Sequence, residues 1–328
     1  MAEPNVTTPV TTSRAVQFES FGGPEALTVR EVPVPRAGPG QIRVRVAAAG
    51  LNPMDWFMTS DAETAARFGL SLPCGFGTDY AGVVDQVGEG VRGFAAGDRV
   101  FGGALSRAVA DYVVVDEAGT IAVGGEAHRT PDGVDDRTAA TLAIAGRTAA
   151  AALAVVGPGP GDTVLVGGAG GGVGVFAVQL ARRAGARVIG TGSASSAEAL
   201  RALGAEPVTY GDGLVDRVRA LAPAGVTAAM DLHGTDTAQA ARELGVPDAR
   251  ITTIAARIDG ITPANGAGAP QGALEEIAGL VATGRLRVPI AARYPVEQIR
   301  AAVELQAARH VHGKVVIDCG PKAANFGQ

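Results

Sequence analysis

Residues 164–174 read VLVGGAGGGVG, and the fold of the chain is decided there. Val164, Leu165 and Val166 form an apolar run of the length of a buried parallel strand. A glycine cluster follows at once, then VGVFAVQLARRAGA, in which Val173, Phe176, Ala177 and Leu180 recur at helical spacing on one face. Strand, glycine turn and helix open a βαβ unit. Gly168, Gly171 and Gly174 stand in a G-x-x-G-x-x-G spacing in place of the commoner G-x-G-x-x-G. With Gly172 and Val173 they let the backbone turn tightly, so that a pyrophosphate can lie against unpaired N–H groups at the helix N-terminus. A chain with 47 glycines also forms glycine-rich connections with no ligand. The strand before the cluster and the helix after it carry the dinucleotide reading.

Outward from this unit, strand patterns at 163–166, 187–191, 207–210, 228–231 and 250–255 alternate with helical segments, which predicts a doubly wound parallel sheet. Before it, from Arg14 to about Val123, short apolar runs are broken by Gly and Pro. QIRVRVA and RAVQFE alternate as half-buried antiparallel strands do, so this region reads as a compact β domain. An Ala-rich helix is expected from near Arg137. After Ile261, PANGAGAP is too rich in Gly and Pro for a good strand. A helix over GALEEIAGLVATG and a terminal strand in HVHGKVVIDC close the chain.

The 328 residues suffice for two domains. A net charge of −5 without a Lys/Arg-rich run argues against nucleic acid or an anionic membrane as partner. Two cysteines, Cys74 and Cys319, are too few for a disulfide framework. No basic, apolar signal segment and no spanning stretch is visible, and MAEPNVTTPVTT reads as a polar tail. A cytoplasmic protein is the expectation.

Ordered segments along nearly the whole chain carry a family resemblance: AAAGLNPMDW (47–56), GTDYAGVVDQVGEGV (77–91), GDRVFGG (97–103), AGRTA (145–149), the glycine loop and HGKVVI (312–317). The chain resembles the medium-chain dehydrogenase/reductase superfamily, in its zinc-free quinone oxidoreductase-like branch. The resemblance implies an α/β fold in which a Rossmann sheet, residues 143–266, is inserted in a GroES-like, mainly β substrate domain, residues 1–142 plus 267–328. An active site in the cleft between them is implied as well.

Catalytic zinc in this superfamily would need a cysteine where LNPMD stands and a His-Glu pair where GTDYAG stands. Neither is present, and no Cys/His set has tetrahedral-site spacing, so no metal is expected. Coenzyme choice follows from charge. An NAD site places an acid at the end of the second strand, whereas here that strand runs into GTGSASS and the first acid is Glu198. Ser193 and Ser196 offer hydroxyls to a 2′-phosphate, and Tyr210 resembles a family tyrosine near it, so NADPH is expected. Capping serves the serines equally well.

Asn52 and Asp55 stand where family members line the nicotinamide pocket, though Asn-Pro and Asp also shape turns. Trp56 walls the substrate pocket or simply fills core. Thr148 resembles a family threonine near the nicotinamide, while Arg147 departs from the apolar residue usual beside it. Asp79 fixes local backbone, and His233 lies near the cofactor edge. Lys314, in the last strand, approaches the cofactor or is solvated. Tyr80 and Tyr112 are candidate proton donors.

The expected reaction is hydride transfer from NADPH to a quinone or an α,β-unsaturated carbonyl, without zinc. An enoyl-thioester or polyketide enoyl reductase is the alternative within enzymes, and a non-catalytic NADPH-binding protein the alternative of another class. The partners expected are a small-molecule substrate and a second copy of the chain, in a homodimer.

Overall fold

The computed structural model describes residues 11–320, so the expected polar tail lies outside the described residues except at its end, where Thr12 opens the first strand. Strand Thr163–Gly167 lies inside a six-stranded sheet whose paired strands are all parallel. Across the sheet the order is Glu206–Thr209, Arg187–Gly192, Thr163–Gly167, Ala228–Asp231, Ile251–Thr253, Thr262–Pro263. From Thr163–Gly167 the successive strands are added first on one side and then on the other, so a crevice opens at the carboxyl ends of Thr163–Gly167 and Ala228–Asp231, where such sheets bind dinucleotides.

The unbroken apolar run at 164–166 has a simple cause: both faces of the strand are covered. Val164 and Val166 pack with Phe176 and Ala177 of helix Gly174–Arg183 and with Ala149 and Ala152 of helix Ala143–Val156. Leu165 points the other way, toward Leu214 and Val218 of helix Leu214–Leu221 and Ala238 and Ala241 of helix Asp236–Glu243. Alternate side chains thus enter opposite layers, as the two-residue strand period requires.

The third strand ends at Thr209 rather than Tyr210. The segment judged too poor for a strand contributes a two-residue one, Thr262–Pro263, beside Thr252 and Thr253. Helix Ala273–Ala282 lies beyond the expected boundary at residue 266, yet Leu274, Ile277, Ala278 and Leu280 pack into the core that holds Val164 and Val166. The chain rejoins the β-rich half at strand Ile290–Pro295.

That half holds a seven-stranded sheet drawn from both ends of the chain. Its path runs Ile290–Pro295, Lys314–Asp318, Gln41–Gly50, Asp79–Val87, Arg99–Gly103, Glu126–Arg129, with Tyr112–Asp116 also paired to Gln41–Gly50. The terminal strand lies antiparallel to Gln41–Gly50, with Val316 opposite Gly50. Arg14 reaches Asp111 at 2.7 Å and Glu297 at 2.8 Å, and Arg137 reaches Asp318 at 2.6 Å, which ties the two ends together. The helix expected from Arg137 is broken into Asp136–Ala139 and Ala143–Val156. At the break the Ala140 carbonyl presses on Gly50, where a Cβ would stand 2.1 Å from its oxygen.

Candidate functional site

The glycine loop joins strand Thr163–Gly167 to helix Gly174–Arg183. Gly168 turns the chain with φ +66°, a left-handed conformation that glycine adopts without strain. Gly171 N–H donates to Gly168 O at 2.9 Å, and Gly168 N–H donates to Thr191 Oγ1 at 3.2 Å. A Cβ on Gly174 would lie 2.2 Å from Gly168 O, so only glycine lets the helix start this close to the strand. Among the described residues the amides of Gly172, Val173 and Gly174 have no hydrogen-bond partner. Three free donors at a helix N-terminus, on a loop of mostly glycine, fit a pyrophosphate.

The last strand meets this loop. Gly313 N–H donates to Gly170 O at 2.8 Å, and a Cβ on Gly172 would lie 3.2 Å from Lys314 Cδ. Lys314 is not solvated: it is 2% exposed, and its Nζ donates to Asn52 Oδ1 at 2.5 Å and lies 3.7 Å from Asp79 Oδ2. Asn52 Nδ2 donates in turn to Asp79 Oδ2 at 3.0 Å, so both ends of this carboxamide are engaged. Asp79 Oδ1 accepts from Ile144 N–H at 3.1 Å, which pins the start of helix Ala143–Val156 as a backbone-fixing carboxylate should. Asp55 accepts from Asn52 N–H at 2.8 Å, closing a capping box over helix Pro53–Phe57, and from Thr78 Oγ1 at 2.7 Å.

Asn52, Asp55, Thr78, Asp79 and Lys314 therefore form one buried polar cluster. Burial pushes the Asp55 carboxyl up to about 7; the Thr78 and Asn52 donors resist this and the neighbouring Asp79 charge adds to it. Burial also raises Asp79 and lowers Lys314, each opposed chiefly by the attraction between them. A cluster holding a cation, two carboxylates and a carboxamide beside a loop of free amides can orient a polar substrate atom.

Other expected site residues lie elsewhere. Trp56 does not face this cluster; its Nε1–H donates to Gln306 Oε1 at 3.1 Å, and its ring lines a separate cavity of about 250 Å³ with Leu27, Val303 and Ala307. Tyr80 is fully buried, its hydroxyl donating to Glu126 O at 2.8 Å, and burial raises its pKa strongly. Its proton is thus committed inside the β core. Tyr112 lies under the Arg43 guanidinium, 5.0 Å from the ring centroid.

Around the crevice, Ser193 Oγ lies 2.8 Å from Ser196 Oγ and 2.9 Å from Ser195 Oγ, just past the second strand. Tyr210 is exposed beside them, its N–H donating to Gly192 O. Arg217 was not anticipated there; it donates to the carbonyls of Thr209, Tyr210, Gly211 and Asp212 and secures the end of the third strand. His233 Cβ lies 3.1 Å from the position of a Cβ on Gly168, at the loop's edge. Thr148 Oγ1 donates to Ile144 O at 2.7 Å within its own helix. Arg147 turns from the crevice to Glu126 Oε2 at 2.9 Å, in a cluster with His128 and Glu275.

Residues 38–127 match the alcohol dehydrogenase GroES-like domain and residues 203–317 the zinc-binding dehydrogenase domain. The quinone oxidoreductase of Pseudomonas aeruginosa is 30% identical over 333 residues, covering 93% of this chain and 99% of that protein. The chain belongs to the quinone oxidoreductase-like branch of the medium-chain dehydrogenase/reductase superfamily.

Among solved structures of this superfamily, the quinone oxidoreductase from Coxiella burnetii superposes with a TM-score of 0.82 at 28% identity, over 94% of this chain and 99% of its own. An NAD-dependent alcohol dehydrogenase (TM-score 0.79, 30% identity, 94% and 100% covered) and a mycobacterial protein complexed with NADPH (0.78, 25%, 93% and 99%) are similar too. The matched stretch of a quinone oxidoreductase homolog from Arabidopsis thaliana spans 60% of that protein, and that of the human quinone oxidoreductase 52%. The residues do not fit the zinc of the matched domain's name: among the described residues no three His, Cys, Asp or Glu side chains are grouped to hold a metal ion. The LNPMD segment, where the resemblance calls for a zinc-binding cysteine, holds none, and its Asn52 is hydrogen-bonded to Lys314 and Asp79.

Proposed function

We propose that the chain is a zinc-independent, NADPH-dependent oxidoreductase that passes a hydride to a quinone or an α,β-unsaturated carbonyl. One observation carries this reading. Gly172, one of the three loop residues with unpartnered amides, stands against the stem of Lys314, whose ammonium is bonded to Asn52. The anion site and the buried polar cluster are thereby joined. When bound, the coenzyme supplies a hydride from its nicotinamide.

The chain's own residues supply orientation. The amides of Gly172, Val173 and Gly174 take the pyrophosphate. The hydroxyls of Ser193 and Ser196, with no carboxylate at the end of the second strand, favour a 2′-phosphate over a bare ribose. Thr148, Tyr210 and His233 border the coenzyme. Asn52 presents its carboxamide to the substrate oxygen, and Asp55 holds the Asn52 backbone in place. With the Tyr80 hydroxyl bound to Glu126 O, water is the proton source for the reduced product. Reduction of an already polarised acceptor needs no Lewis acid, which suits a site without metal donors.

The test adds quinones, free enones and an enoyl thioester to purified protein with NADPH and follows the near-ultraviolet absorbance of the reduced coenzyme. Loss of absorbance with quinones or enones supports the proposal. NADPH binding without turnover on any acceptor overturns it in favour of a non-catalytic binding protein, and turnover restricted to the thioester makes the chain an enoyl reductase. Among the described residues no helix is long and apolar enough to cross a membrane, and we place the protein in the cytoplasm as a homodimer; sedimentation as a monomer at micromolar concentration would remove the dimer.

A further inference from the structure

Lys314 is in two places at once. Its stem lies on Gly172, whose amide is one of the three free donors of the loop, and its ammonium, two bonds beyond Cδ, is bound to Asn52 Oδ1. The strand that carries it is tied to the same loop through Gly313 N–H and Gly170 O. A phosphate seated on the loop amides would offer that ammonium a doubly charged acceptor within the reach of a side-chain rotation. A carboxamide oxygen competes poorly with phosphate for a cation, because charge-assisted pairs are the stronger ones.

We propose that Lys314 is a positioning residue that couples the two halves of the site: without coenzyme it holds the Asn52 carboxamide, and on coenzyme binding it exchanges Asn52 Oδ1 for a pyrophosphate oxygen and leaves that amide oxygen free to accept from an N–H or O–H donor of the bound coenzyme or substrate. This rests on the coenzyme reading above. Asn52 Nδ2 stays on Asp79, so the exchange releases the Lys314 bond to the oxygen without letting the amide spin. The buried cation is not stranded in either state: Asp79 Oδ2 lies 3.7 Å away in this structure, and the pyrophosphate would oppose its charge after the exchange.

The coupling predicts an unusual sign. Asn52 competes with the coenzyme for Lys314, so removing the carboxamide strengthens binding. The probe is 2′-phospho-ADP-ribose, which carries the phosphates and lacks the nicotinamide, titrated by calorimetry into wild type, Asn52→Ala, Lys314→Met and the double variant. Asn52→Ser is measured alongside, in case the alanine variant folds poorly. Asn52→Ala binds the probe about tenfold more tightly than wild type, the worth of one charge-assisted hydrogen bond. Lys314→Met weakens binding and abolishes the gain from Asn52→Ala. Unchanged or weaker binding in both Asn52 variants, which a purely structural bond between the two residues predicts, overturns the inference. So does a gain that persists without Lys314. If the wild-type protein binds neither the probe nor NADPH, the coenzyme reading itself fails, whereas binding with an additive cycle removes this inference alone.

Discussion

At Gly174 the helix begins against the backbone that precedes it, and no side chain fits between. Gly174→Ala would put a methyl 2.2 Å from Gly168 O; overpacking of this kind costs about 1–3 kcal/mol. Thermal unfolding should show the loss, and calorimetry with NADPH should show weakened binding, because the displaced loop misdirects its amides. Asp55 predicts a pH effect. Its folded pKa of about 7 stands above its ordinary value of 3.8, so between these values the folded protein holds a proton that the unfolded chain has lost. Stability contributed by that proton is present below about pH 4 and is lost as pH rises toward 7, at up to about 1.4 kcal/mol per pH unit. Urea unfolding across pH 4.5–7.5 checks this; a free energy of unfolding that rises throughout the window contradicts it.

Single side chains also hold whole elements at the crevice. Asp231, 1% exposed at the end of its strand, accepts from His233 and Gly234 N–H through Oδ1 and from Thr237 and Ala238 N–H through Oδ2. It therefore fixes both the turn that carries His233 and the start of helix Asp236–Glu243. Asp231→Ala strands these donors, two of them buried, and should destabilise by about 1–3 kcal/mol in denaturant titrations. A second junction joins strand Glu126–Arg129 to helices Ala143–Val156 and Ala273–Ala282. There His128 Nδ1 lies 2.9 Å from Glu275 Oε1 and Nε2 3.5 Å from Glu126 Oε1, while Arg147 neutralises the far side of Glu126. Burial lowers the His128 pKa, but the two carboxylates outweigh it and raise the net value above 6.5. The stabilisation from charged His128 is complete below about pH 6.5 and is lost as pH climbs through the raised value. His128→Gln should flatten the wild-type decline in stability on the alkaline side, as read from unfolding midpoints.

For the molecule as a whole, coenzyme binding and folding are linked. NADPH at about 100 times its Kd should add about 2.7 kcal/mol to the stability of the loaded state. A melting temperature unmoved by saturating NADPH would contradict the whole coenzyme reading. The two halves of the molecule were legible in the sequence to different degrees. Segments 163–166 and 187–191 each fell within a residue of their strands, because a strand buried on both faces writes its apolar run without interruption. Helix Ala273–Ala282 was legible as a helix, but its amphipathic pattern does not name the surface it covers, which is the core that holds Val164 and Val166.

By itself, then, the sequence settled the strand–glycine–helix unit and the parallel alternation around it, both of which depend on neighbours within a few residues. Tertiary structure alone decided which polar side chains meet. Asn52 and Lys314 are separated by 262 positions, and they touch because the last strand returns antiparallel beside Gln41–Gly50. The same return leaves Trp56 facing Gln306, and the packing of the β sheet closes Tyr80 over the Glu126 carbonyl. A residue's type fixes which partners it can accept, and only the closed sheet fixes which partner is within 3 Å.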